Sequence, residues 1–327
     1  MRRREFITIL AGAAAWPSTA RAQQDGRVRQ IGILWRGDET DRRIQSELVA
    51  LREGLAKLGW IEGRNVEFDV RYSADDPDRL RAHVDDLVRL TPDVIVVSSL
   101  PTTRLMLQRT RTIPIVFMNV GDPVAGGLLQ NIARPEGNAT GITSVYQSMG
   151  GKWLELLKEA APRTTQVALV FVPGLVTENY FSAIDPAAEV LGLKTIKAPY
   201  RNSAELERAM AAFAAEPNGG LLMVPPPPSS SSRQLINRLA LQYRLPAIYP
   251  AKAYAAEGGL MGYGADTVQL ALAAASYVDR ILRGAKISEL PVQFPTKFEL
   301  VINLKAAAAI GLTIPDSFLF RADEVIK

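Results

Sequence analysis

From Gln30 onward, short runs of consecutive apolar residues alternate with stretches in which apolar positions recur every three or four residues. The runs "QIGILW" (30–35), "NVEFDV" (65–70), "DVIVVSS" (93–99) and "IPIVFMNV" (113–120) are rich in β-branched residues and bounded by Gly, Pro or Asp. Such runs read as strands buried on both faces, as in a parallel sheet covered by helices. The first intervening stretch places Ile44, Leu48, Leu51, Leu55 and Leu58 on one helical face and stops at Gly59, where a left-handed cap costs little. Strand and helix in regular alternation predict a doubly wound α/β sheet.

The second half repeats the pattern with "QVALVFV" (166–172), "KTIKAPY" (194–200), "GLLMVP" (220–225) and "LPAIYP" (245–250). Gln30 matches Gln166, Leu58-Gly59 matches Leu191-Gly192, and Ile113-Pro114 matches Leu245-Pro246, at offsets of 136, 133 and 132 residues. Near-constant offsets predict two similar lobes in tandem rather than one large sheet. A further amphipathic helix at 267–282 and the stretch "PVQFPTKFELVINLKAAAAIGL" follow, so the chain is expected to pass between the lobes more than once. The predicted division is 28–145 plus about 265–290 for the N-terminal lobe, and 146–264 plus about 291–327 for the C-terminal lobe.

The apolar run from Phe6 to Trp16 breaks this alternation. It is about half the ~20 residues a membrane-spanning helix needs. Arg2, Arg3 and Arg4 precede it and Ala20-Arg21-Ala22 follows it, the layout of a cleaved export signal over 1–22 with the mature chain starting at Gln23. Arg3-Arg4-Glu5-Phe6-Ile7 fits the twin-arginine pattern, and an ordinary secretory signal with an arginine-rich start fits it too. Because the signal carries four arginines and one glutamate, its removal lowers the formal charge from +4 to +1, and the basic balance no longer points to nucleic acid. The chain has no cysteine, so both lobes must hold by their cores. No other apolar run reaches spanning length, and the expected product is a soluble, monomeric periplasmic protein.

The motifs of common α/β enzymes are missing. There is no G-x-S-x-G, no G-x-x-x-x-G-K-[ST], and "GYGADT" (262–267) lacks the third glycine of a dinucleotide loop. The single histidine, His83, lies in a charged helical stretch beside Asp85 and Asp86, and with no cysteine there is no metal-ligand set. No cofactor is expected.

Ligands of open α/β sheets gather outside the carboxyl ends of the strands. Trp35 and Arg36 follow the first strand. Ser98, Ser99, Thr102 and Thr103 follow the third, and Pro101 opens a helix whose free N–H groups and hydroxyls suit a carboxylate; an ordinary N-cap is the plainer reading. Asn119 and Asp122 follow the fourth, and Asp122 suits either a ligand ammonium or a turn cap. In the second half, "PGLVTENY" carries Thr177 and Asn179, "PPPPSSSS" (225–232) forms a stiff loop into a helix, and "YPAKAY" carries Tyr249 and Tyr254, candidates to stack on an apolar body or simply to pack at a domain edge.

The runs "RRREFIT", "IPIVFMNVGDPV", "RPEGNATGIT", "GGLMGYG" and above all "PTKFELVINLKAAAAIGLTIPDSFLFRADEVI" resemble the ABC transporter substrate-binding proteins of the group that includes tryptophan- and tyrosine-binding components. The resemblance extends from Gln30 to Lys327. It implies a type I periplasmic-binding-protein fold with two lobes, three crossovers and a cleft, no catalysis, and delivery of a small molecule to an inner-membrane permease. "PPPPSSSS" and "PGLVTENY" depart from the usual pattern of these relatives, so a relative's ligand does not transfer with the likeness. A sensor that presents the ligand to a receptor and an exported hydrolase using carboxylates alone are the competing functions; a neighbouring permease gene and an assay for turnover separate them.

Overall fold

The structure, a computed structural model, describes residues 27–327 except 145–146 and 226–229, and does not describe the side chains of 175–178 and 230–231. The expected signal at 1–22, the Thr177 side chain and most of "PPPPSSSS" lie outside that description.

Two sheets form. The first comprises β1 (Arg29–Trp35), β2 (Val66–Tyr72), β3 (Val94–Ser98), β4 (Ile115–Val120) and β5 (Ala139–Thr143), in the order β2-β1-β3-β4-β5 and parallel throughout. The second comprises β6 (Gln166–Phe171), β7 (Lys194–Pro199), β8 (Gly219–Met223), β9 (Ala247–Tyr249), β10 (Met261–Ala265), β11 (Phe298–Asn303) and β12 (Glu324–Ile326), in the order β12-β11-β10-β9-β8-β6-β7. Only the β10–β11 pair is antiparallel. The fold class read from the alternation is the one observed.

Central strands are buried from end to end, as in the uninterrupted burial of β3 and β6, because helices cover both faces. On the first sheet one face packs against α1 (Arg42–Lys57), which buries Ile44, Leu48, Leu51 and Leu55. Beside α1 on the same face lies α9 (Thr267–Leu282), so close that a Cβ on Gly54 would stand 2.8 Å from the Ala275 methyl. The other face packs against α2 (Pro77–Leu90) and α3 (Leu100–Arg109). On the second sheet, α4 (Met149–Ala160) and α5 (Leu175–Val190) cover one face, and α6 (Ser203–Ala214) and α7 (Ser230–Gln242) the other; the short α8 (Lys252–Ala256) follows β9.

Three connections join the sheets: β5 to α4, β10 to α9, and the 290–297 segment leading into β11. They run side by side. Thr143 donates its N–H to the Gln293 carbonyl at 2.9 Å, Asp266 donates to the Lys297 carbonyl at 3.2 Å, and the Lys297 ammonium lies 3.0 Å from the Asp266 carboxylate.

Candidate functional site in the interlobe cleft

In the first sheet the strand order reverses between β1 and β3, and in the second between β6 and β8. At such switch points neighbouring loops part and leave a crevice. Trp35 and Ser98 end the two strands at the first reversal.

The local geometry there is strained. Ser99 has φ 89°, ψ 150°, and Asn119 has φ 55°, both unusual for residues with a Cβ. Ser99 is the N-cap of α3: its hydroxyl accepts weakly from the Thr102 N–H at 3.5 Å and lies 3.0 Å from the Thr102 hydroxyl. Thr102 is fully buried, so when its hydroxyl donates within the pair the Ser99 hydrogen stays available for a ligand oxygen. Thr103 donates its hydroxyl to the Ser99 carbonyl at 2.7 Å and is fully buried. Ser98 is buried at the end of β3. Trp35 is also buried, with its indole N–H unpartnered among the described residues.

Asn119 sits where the β4–β5 register shifts between Phe117 and Val120, an irregularity that re-aims a side chain. Its amide donates to the Glu47 carboxylate at 3.1 Å. Glu47 is inaccessible to solvent, takes the Arg43 guanidinium at 2.6 Å and accepts from the Thr267 side chain at the head of α9. Burial pushes its carboxyl above the ordinary range, against the pull of Arg43. Asp122 is fully engaged. One oxygen accepts the Val124 and Ala125 N–H groups at 2.9 and 3.0 Å, a turn cap, and the other accepts from Gln147 at 2.6 Å. Arg36 pairs with Asp75 at 2.7 Å.

In the second lobe, Asn179 lies half-buried in the first turns of α5, which starts just past the end of β6. Tyr249 and Tyr254 stack on each other, with centroids 4.5 Å apart and planes 8° off parallel, and both are inside the layer beneath α6 and α7. Their hydroxyls and that of Tyr200 are buried without partners among the described residues. Burial raises all three phenol pKa values, that of Tyr200 to about 12.

Sequence reading passed over Glu47, Arg43, Asp41, Arg233 and Glu257. Glu47 did leave a signal, as a lone acid between Ile44 and Leu48 on the buried stripe of α1. Arg233 had none, since an arginine in the first turn of a helix ordinarily faces water. A pocket of about 620 Å³ lined by Arg27, Arg29, Trp60, Asn65 and Arg283 lies at the opposite, amino-terminal end of β1 and holds none of the candidate residues.

Among the described residues no group of His, Cys, Asp and Glu could hold a metal ion. Ser99 has a threonine hydroxyl beside it where a nucleophile needs a base. What the strand ends offer a molecule is hydrogen bonding. Two α/β lobes joined by three adjacent strands of chain define a two-lobed binding protein of the type I periplasmic class. Residues 43–326 match the family model for ABC transporter substrate binding proteins, and the chain belongs to that family; it is a binding protein and not an enzyme.

The chain is 24% identical over 279 residues to a tyrosine-binding protein of Clostridioides difficile, covering 84% of this chain and 80% of that one. Among solved structures, a conserved domain protein of Vibrio cholerae superposes with TM-score 0.82 at 28% identity, over 91% of this chain and all of that one. The ABC domain in complex with L-Trp from Streptococcus pneumonia superposes with TM-score 0.80 at 22% identity, over 90% and 100% of the two chains.

Proposed function

We propose that this chain is the solute-capturing component of an ABC importer, working in the periplasm, and that its ligand is an amino acid or related aromatic acid. Capture is by hinge closure about the three connections, a two-state motion that the ligand biases and that creates the surface an inner-membrane permease reads. The observation that carries this reading is the strained turn at Ser99, poised at the β1/β3 switch point. Of the hydroxyls expected to meet a carboxylate, the Ser99–Thr102 pair keeps a hydrogen to give, while Thr103 is committed to the Ser99 carbonyl. Relatives named for tyrosine binding and solved with L-Trp favour an aromatic amino acid as the first ligand to try.

Thermal-shift screening of amino acids, aromatic acids and sugars, followed by calorimetry, tests the proposal. An amino acid or aromatic acid that binds one-to-one and raises the melting temperature is expected. Stabilisation by sugars alone would overturn the ligand class. Amino-terminal sequencing of exported protein is expected to read from Gln23.

A further inference from the structure

The two lobes are tied together by an ion pair. The Arg233 guanidinium at the start of α7 lies 3.2 Å from the Asp41 carboxylate at the start of α1, although 192 residues separate them, and the two side chains keep only 8% and 9% of their surface exposed.

Each partner is positioned inside its own lobe without the other. Glu257 receives Arg233 through both carboxylate oxygens, at 3.0 and 3.2 Å. Asn237 braces the backbone on which Glu257 stands, donating to the Tyr254 and Glu257 carbonyls at 3.1 and 3.4 Å. Asp41 is the N-cap of α1, where one oxygen accepts the Arg43 N–H at 2.9 Å and leaves the other for Arg233. Against the cost of burial, the charges of Arg43 and Arg233 hold the Asp41 carboxyl below its ordinary range. Beyond Arg43 the charges continue to Glu47 and, through it, to Asn119 in the cleft.

A contact whose two halves stay satisfied when parted can be made and broken. Had either group depended on the other alone, separation would strand a buried charge. Because both are already oriented, little side-chain entropy is lost when they meet. We propose that Arg233 and Asp41 are a latch between the lobes, residues that set how long the cleft stays shut without touching the ligand. The inference rests on the hinge-closure reading above.

The absence of cysteine makes the test clean, because Ala56→Cys on α1 and Ala211→Cys on α6, both exposed, give a uniquely spin-labelled pair with one probe in each lobe. Asp41→Asn removes the charge and keeps a side chain that caps helices equally well. Electron-spin distance measurement on the ligand-free protein should show the Asp41→Asn population moving to longer separation, while Asp85→Asn, whose pair with Arg109 lies within the first lobe, leaves it in place. With L-tyrosine or L-tryptophan as probe, dissociation from Asp41→Asn should quicken about tenfold with the association rate little changed.

A distance distribution identical in wild type and Asp41→Asn would overturn the latch even if either amino acid closes the protein. Wild-type distances unmoved by an amino acid that binds, with Asp41→Asn open, would keep the latch and sink ligand-driven closure. Arg233→Gln approaches the pair from the other side; if it fails to fold, Asp41→Asn alone decides.

Discussion

Asn119 donates its side-chain amide to the Glu47 carboxylate at 3.1 Å, tying the carboxyl end of β4 to the first helix. Glu47→Ala would strand Arg43, Asn119 and Thr267 opposite an empty site, and removal of one member of a buried ionic cluster costs about 3 kcal/mol or more. Chemical denaturation should show that loss.

Glu47 also gives a pH signature. Burial raises its folded-state pKa above the ordinary 4.5, so the native state holds the proton more tightly than the unfolded chain. Stability from this source is fully present below the unfolded value and is lost as pH rises through the folded one. Glu47→Gln cannot titrate. The melting-temperature difference, wild type minus Glu47→Gln, should therefore grow in favour of wild type as the pH falls from 7 toward 4. A difference constant over that range would refute the shift.

Ser99 combines a cap with an unfavourable backbone angle, and two substitutions separate them. Ser99→Ala keeps φ 89° strained and loses the cap, for a cost of about 1 kcal/mol. Ser99→Gly loses the same hydroxyl but accepts the backbone conformation, so it should be more stable than the alanine variant by about 1 kcal/mol. Both should weaken binding of a carboxylate ligand by a similar factor, roughly 1–3 kcal/mol, if the hydroxyl contacts it. Calorimetry on the pair checks whether stability and affinity part in this way.

The sheets and their helices were legible in the sequence because burial on both faces leaves uninterrupted apolar runs. The run 30–35 became β1 at Arg29–Trp35, and 166–172 became β6 at Gln166–Phe171. The runs name no strand for β5, β10, β11 or β12: "ATGIT", "MGYGA" and "EVI" are short or glycine-bearing, and "FELVIN" carries only the three-residue apolar run Leu300–Ile302. At the site, loops could be located but contacts could not. The turn cap made by Asp122 is the exception, because an Asp-Pro pair at a strand end signals it locally. The stacking of Tyr249 on Tyr254 and the reach of Arg233 to Asp41 depend on how separate elements meet, which no local pattern encodes.

The tyrosine cluster is costly as it stands. Tyr249 carries a fully buried hydroxyl with no partner among the described residues, and a stranded polar group of this kind costs about 1–3 kcal/mol. Tyr249→Phe keeps the ring that stacks on Tyr254 and should leave stability unchanged or raise it. Burial also lifts the Tyr200 phenol to about 12 and Tyr249 higher. Their protons are held more tightly in the folded state, so this stabilising share is present below pH 10 and fades as pH climbs through the folded values. Alkaline titration by ultraviolet absorbance should show a set of tyrosines that ionise only on unfolding, smaller by one in Tyr249→Phe.

Gly262 and Gly264 explain the near-miss to a nucleotide loop. Both lie in β10, and neither has positive φ; what they supply is closeness. A Cβ on Gly264 would stand 2.1 Å from the Pro250 carbonyl oxygen, and one on Gly262 would stand 2.3 Å from that of Ala251. The obstacle is backbone, which cannot rotate away as a side-chain tip does. The 250–251 turn is held against β10 by the same contact and connects Tyr249 to Tyr254, so pushing it outward would also part the stacked rings. Gly264→Ala should therefore destabilise by about 3 kcal/mol, at the upper end for overpacking by a methyl. Gly258→Ala tests the other use of glycine in the same region, since its φ is 100° with open space around the missing Cβ. Its cost should be about 1 kcal/mol, the price of backbone strain alone. Denaturant melts of the two variants side by side distinguish steric exclusion from conformational freedom, and equal losses would count against the close-approach reading of β10.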